Sequence, residues 1–203
     1  MGAVLTQNTA WTNAAAALTA LGAAGIRLPS HVRALPHARL ARLVRSSGYF
    51  NEKARKLALV ARFFSRRGSL GASAVPARDD LLALWGVGPE TADSILLYAF
   101  RHPVFVVDAY TRRILARIGL ISGREPYDEI QALFHRSLGR GAPIFNEYHA
   151  LIVEHAKRHC GVRPACDGCP VTRCRYRDAL SRRAPAMRSG DARPRRAPDR
   201  PRP

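Results

Sequence analysis

Apolar residues recur at helical spacing along most of the chain, and no period-2 alternation of useful length occurs. The spacing predicts a helix over residues 11–21, broken at 22–29 by Gly22 and Pro29. Leu40, Leu43 and Val44 share one face of a second helix over 38–46, which Ser47 and Gly48 end. Ala54, Leu57, Ala58 and Ala61 do the same over 51–64, and Arg66, Arg67 and Gly68 close that helix. A loop with Pro76 leads to a short helix over 79–84, with an aspartate as its cap. Further helices follow over 89–99, 108–118, 127–138 and 144–160, and a short apolar stretch at 104–107 precedes Asp108. The fold class is therefore all-α, without internal repeats. From about Ser181 the chain is rich in Arg and Pro, a composition too poor in apolar residues to fold.

Charge sharpens this picture. The net charge is +18, of which +7 lies in residues 175–203 and +11 in the body before them. A basic body and a basic tail together predict a polyanionic partner, and nucleic acid is the usual one. The longest apolar runs, such as 95–100, fall far short of the roughly 20 residues a membrane span needs. Residues 14–26 have the apolarity of a signal-peptide core, but no Lys or Arg precedes Arg27. The expected location is cytoplasmic and nucleoid-associated, so the four cysteines are expected as metal ligands or free thiols rather than disulfides.

Three stretches carry candidate chemistry. In 81–92, two helical segments flank Gly86-Val87-Gly88. The glycines permit a tight turn, Val87 can plug the core, and Pro89 suits the first position of a helix. Outward-facing N–H groups of such a hairpin bind phosphate without reading sequence. Second, Asp108 follows an apolar run at a helix start. It can serve as an N-cap, or as a carboxylate that stabilises a cationic sugar or activates water, and the two roles are compatible. Third, Cys160-x5-Cys166-x2-Cys169-x4-Cys174 packs four thiols into fifteen residues. One compact loop suits a [4Fe-4S] cluster better than the paired knuckles of a zinc site, with zinc as the alternative. His155 and His159, four apart on one helix, form a competing metal pair and read more simply as packing or surface residues.

The order and spacing of hairpin, aspartate and cysteine loop resemble the endonuclease III family of helix-hairpin-helix DNA glycosylases, from about residue 3 to Cys174. The resemblance implies a two-lobed fold with a DNA cleft. A six-helix barrel would span 12–113, a cluster lobe would combine 1–11 with 114–178, and 179–203 would be a disordered basic tail. It implies that Asp108 is catalytic, that Gly86, Val87 and Gly88 bind DNA, and that Gln7 fills the gap left by a flipped base. Cys160, Cys166, Cys169 and Cys174 would bind a [4Fe-4S] cluster. The partner would be double-stranded DNA with a damaged base, bound by a monomer.

Three departures refine the expectation. Bifunctional members carry a lysine nucleophile in the hairpin, within Gly-Val-Gly-x-Lys-Thr-Ala; here that position is Glu90, and the chain's three lysines are Lys53, Lys56 and Lys157. A monofunctional enzyme is expected, with Glu90 in the pocket wall, closest to the branch that includes alkylpurine glycosylases. The alternatives are a lyase acting on oxidised pyrimidines through a displaced nucleophile, and a non-catalytic DNA-binding relative. The outer cysteine gaps are each one residue shorter than the family's usual x6 and x5. The chain also opens where relatives are already inside a helix, so a preceding helix is expected to be absent.

Overall fold

The computed structural model describes residues 1–69, 75–139 and 141–183. Eleven α-helices occur among them, with no strand. They are α1 Gly2–Leu5, α2 Trp11–Ala23, α3 Pro29–Arg33, α4 His37–Leu43, α5 Phe50–Ser69, α6 Arg78–Leu82, α7 Pro89–Phe100, α8 Ala109–Ile118, α9 Tyr127–Ser137, α10 Ala142–Arg158 and α11 Arg175–Arg183. None of the described helices is long and apolar enough to cross a membrane.

The all-α expectation holds, and the differences have local causes. α3, which the spacing does not predict, begins at Pro29, the last residue of the expected break, because Pro29 occupies its first turn, where a missing N–H costs nothing. α5 continues through Arg66, Arg67 and Gly68 rather than stopping there. α6 starts at Arg78, so Asp79 is inside it and caps nothing; with Asp80 it sits in the first turn, where the helix dipole still favours it. The chain is helical through Arg183, past the expected end of the folded part at 178; the rest of the expected tail, from 184, lies outside the described residues.

One core runs through the molecule. Leu21 of α2, Leu40 of α4, Leu57 of α5 and Leu81 of α6 are buried, as is Val44 just past α4, at or close to the positions the helical spacing picks out. The extended stretch Val104–Val107 is wholly buried, and Phe105 stacks on Phe134 with ring centroids 3.7 Å apart. Each such side chain contributes about 1.5–3 kcal/mol by leaving water. That stretch delivers the chain to Asp108 at the start of α8. At the other end of α8, Gly119 has φ +88, and a Cβ there would sit 1.9 Å from Arg175 Cδ. The left-handed backbone favours glycine there, and the Arg175 side chain lies against its bare face.

The N-terminal segment is held by an unusual tie. Lys53 is fully buried on α5 and its Nζ donates to Leu5 O (2.9 Å) and Ser47 O (2.6 Å). Burial pushes its pKa down, with Lys56 adding to the effect. Lys53→Met keeps the stem but leaves two buried carbonyls without donors. The expected loss is about 2–4 kcal/mol, measured by urea denaturation.

Candidate active site

Asp108 sits at the N-cap of α8. Its Oδ1 accepts from Thr111 N (2.7 Å) and Thr111 Oγ1 (2.8 Å). The cap reading of the sequence is therefore correct, and it leaves Oδ2 free for another task. Oδ2 lies 3.5 Å from His149 Nε2 on α10. His149 Nδ1 in turn pairs with Tyr98 OH on α7 at 2.6 Å. The Asp108 and His149 side chains are only 13% and 11% exposed. Burial by itself would raise the Asp108 pKa, but His149 and the two Thr111 donors outweigh it and hold the carboxyl below its ordinary value.

These groups open on a cleft of about 550 Å³. Asp108, Glu90 and His149 line it together with the aromatic rings of Trp11, Tyr98 and Tyr110, and Lys157 stands in the same wall. Glu90 is on the exposed rim, in the first turn of α7. Desolvation raises its pKa, and the Asp108 charge raises it further. Sequence reading found both carboxylates of this cleft but missed His149, Tyr98, Trp11, Tyr110 and Lys157. Periodicity marks His149 only as one more inward position of α10, and nothing local says that it faces Asp108.

The hairpin between α6 and α7 has the expected form. Val87 is buried and Gly86 has φ +77. A Cβ on Gly86 would lie 2.4 Å from Lys56 Cε, so glycine is needed there for conformation and for space. Gly88 differs from expectation: its φ is −94, and it is the N-cap of α7 rather than a second left-handed position. A Cβ on Gly88 would meet nothing within 4 Å, so its bare face is open to a ligand. Gln7 is docked on this hairpin. Its Nε2 donates to Gly86 O (3.1 Å) and Thr91 Oγ1 (2.8 Å), and its Oε1 accepts from Lys56 Nζ (2.7 Å). Beside it, the Arg55 guanidinium lies 4.2 Å from the centroid of the exposed Trp85 ring.

The four cysteines line one small pocket next to α8 and are all free thiols. Arg113 Nε donates to Cys160 O (2.8 Å), and Arg117 donates to Cys160 Sγ (3.2 Å), Gly161 O (2.6 Å) and Val162 O (2.9 Å). His155 and His159, read as packing or surface residues, line this pocket too, and His155 Nε2 is 3.9 Å from Cys169 Sγ. Among the described residues no three of His, Cys, Asp or Glu are gathered around a point as ligands of one metal ion.

Residues 1–140 match the model of the HhH-GPD superfamily of base excision DNA repair proteins. The chain belongs to this family. Its enzyme class is that of a DNA glycosylase. It is 40% identical over 178 residues to a candidate DNA repair glycosylase of Methanocaldococcus jannaschii, covering 84% of this chain and 81% of that one. It is 31% identical to the endonuclease III of Sulfolobus acidocaldarius, over 66% of this chain and 60% of the relative. Among solved structures, H. pylori 3-methyladenine DNA glycosylase bound to 1,N6-ethenoadenine is similar at TM-score 0.69 and 29% identity, covering 77% of this chain and 82% of that one. Endonuclease III in a non-covalent DNA complex shares the fold at TM-score 0.76 and 24% identity, covering 89% and 83%.

Proposed function

We propose that this HhH-GPD glycosylase binds double-stranded DNA as a monomer, takes a damaged base into the 550 Å³ cleft and hydrolyses its N-glycosidic bond without cutting the strand. The observation that carries this reading is Asp108, held as a carboxylate in the cleft wall with Glu90 in the lysine position of the hairpin motif. As the bond to the base breaks, the sugar becomes cationic. A buried anion stabilises that charge far better than a solvated one does. Glu90 has no amine to attack the sugar. Water is then the nucleophile: it gives a proton to Asp108 as its oxygen bonds the sugar carbon, the N-glycosidic bond breaks, and a base made cationic by alkylation leaves as a neutral molecule.

The lining favours an alkylated purine. Trp11, Tyr98 and Tyr110 offer electron-rich faces, and two carboxylates share the cleft. A base made cationic by alkylation gains from both. Residues from both sides of the boundary at Arg113 line the cleft, which supports the two-lobe partition. Gly88 and the first turn of α7 are read as the phosphate contact. Gln7 would exchange its three hairpin bonds for the gap left by the flipped base.

The cysteine pocket is read as a [4Fe-4S] site held by Cys160, Cys166, Cys169 and Cys174. The donor set fits: four thiols open on one pocket, with Arg117 beside them and no carboxylate in the lining. One zinc ion would need its ligands about 2.3 Å from a common centre, whereas a cubane takes them at its corners. When bound, the cluster supplies structural cross-linking.

One observation favours a second reading. Lys157 is an amine in the wall of the same cleft. A lyase using it would form a Schiff base with the sugar. The test uses two labelled duplexes, one with a methylated adenine and one with an oxidised thymine. Breaks in the methylated duplex only after hot alkali, with no adduct trapped by borohydride, are expected. Breaks without alkali and a trapped adduct lost in Lys157→Arg would establish the lyase instead.

A further inference from the structure

We infer that Tyr98, His149 and Asp108 form a relay, hydrogen-bonded between Tyr98 and His149 and closing between His149 and Asp108 when substrate binds, in which His149 is the positioning residue that presents Asp108 Oδ2 to the sugar. The inference deepens the proposed function and rests on Asp108 being the catalytic carboxylate.

The argument begins with an orphaned atom. His149 Nε2 is buried and has no hydrogen-bond partner of good geometry. Its nearest charged neighbour is Asp108 Oδ2 at 3.5 Å. Buried polar atoms are nearly always paired, so one aimed at a carboxylate in a cleft calls for a reason. The other ring nitrogen supplies it. Nδ1 is 2.6 Å from Tyr98 OH, and burial pushes the Tyr98 pKa up to about 12, so the phenol keeps its proton. In a neutral imidazole the phenol donates to Nδ1, and the ring hydrogen must then be on Nε2. In a cationic imidazole both nitrogens carry hydrogen. The third arrangement, with Nδ1–H donating to the phenol, would set the Nε2 lone pair against a carboxylate and is disfavoured by charge. In both remaining states an N–H faces Asp108.

The remaining contacts make this donor matter. Thr111 saturates Oδ1 from its backbone and its hydroxyl. Oδ2 is the only oxygen left for the reaction, and His149 is the side chain that orients it. The relay draws on three elements: Tyr98 on α7, the cap of α8 and His149 on α10. Phe105 packs edge-on against the imidazole, fixing its plane. The charged and titratable residues that line the cleft with His149 are Met1 with its amino terminus, Tyr98 and Glu90 from α7, Asp108 and Tyr110 from the start of α8, and Lys157 further along α10. A 3.5 Å contact needs only a small tightening to become a hydrogen bond, and catalytic bonds commonly close when substrate binds.

The test is the pH dependence of single-turnover base release from the methylated duplex, on the full chain. Removing a donor from a carboxylate raises its pKa, so the acidic limb of the profile moves to higher pH. His149→Ala is expected to slow release about 10- to 100-fold at neutral pH and to move the limb up by roughly one pH unit. His149→Gln, which restores an N–H, should recover part of both. Tyr98→Phe keeps the ring that lines the cleft and removes only the hydroxyl. It should shift the limb in the same direction by less. If His149→Ala does not fold, the limb in Tyr98→Phe decides. Should Asp108→Asn be inactive while His149→Ala and Tyr98→Phe keep the native limb, His149 is a packing residue and the relay is wrong. Release that survives Asp108→Asn overturns the catalytic reading itself and the relay with it.

Discussion

Asp108→Asn is expected to lower the single-turnover rate of base release by about 10³-fold while the protein stays folded. The two effects should separate because the cap uses one oxygen of Asp108 and the proposed reaction uses the other. Oδ1 caps α8 through Thr111 N and Thr111 Oγ1. Asparagine caps helices about as well as aspartate, so the change in stability should stay within about 1 kcal/mol. The charge of Oδ2 is what asparagine cannot supply. Wild-type activity should also persist to unusually low pH. His149 and Thr111 hold the Asp108 carboxyl below its ordinary value, so it stays ionised, and active, until the pH falls through that lowered pKa. Rapid-quench assays on a methylated duplex, with thermal melts in parallel, measure both effects. A variant that releases base at the native rate would reduce Asp108 to a cap.

On the proposed cluster reading, Cys169→Ser is expected to remove the iron–sulfur absorbance and unfold the loop around it. The reason is the lack of any other core there. Among the residues with described burial, none after Ala156 is buried, and the segment is tied to α8 mainly through Arg113 and Arg117. A loop with so little apolar burial gains little to offset the entropy of ordering its chain, and the proposed cluster would supply the missing cross-link. The expected loss is about 4 kcal/mol or more, or roughly 10 °C in Tm. Absorbance near the visible cluster bands and iron analysis on anaerobic protein report the first effect, and calorimetry the second. Full iron content in Cys169→Ser, or stoichiometric zinc in the wild type, would remove the cluster assignment.

The order of helices, the hairpin and the family were legible in the sequence because each rests on neighbours in the chain. Gly86-Val87-Gly88 before Pro89 specifies a turn and a helix start within a few residues, and Val87 is buried as that motif requires. Asp108 before α8 is an N-cap on local grounds alone. Four cysteines within fifteen residues stay near one another along the chain, and they line one pocket. Short-range rules failed where a residue has two uses. Pro29 reads as a break and acts as a start; Asp79 reads as a cap and lies inside the first turn.

What only the tertiary structure decided is who faces whom. Nothing near His149 in the chain points to Asp108, 41 positions away, nor to Tyr98, 51 positions away. The same holds for Gln7, whose three partners lie 49 to 84 positions along the chain. Local sequence sets backbone geometry and the direction of each apolar face, because these depend on sterics and periodicity within a turn or two. The cleft is made where α7, the start of α8 and α10 converge. That convergence is set by how the core packs around Phe105, and packing is a property of the whole chain.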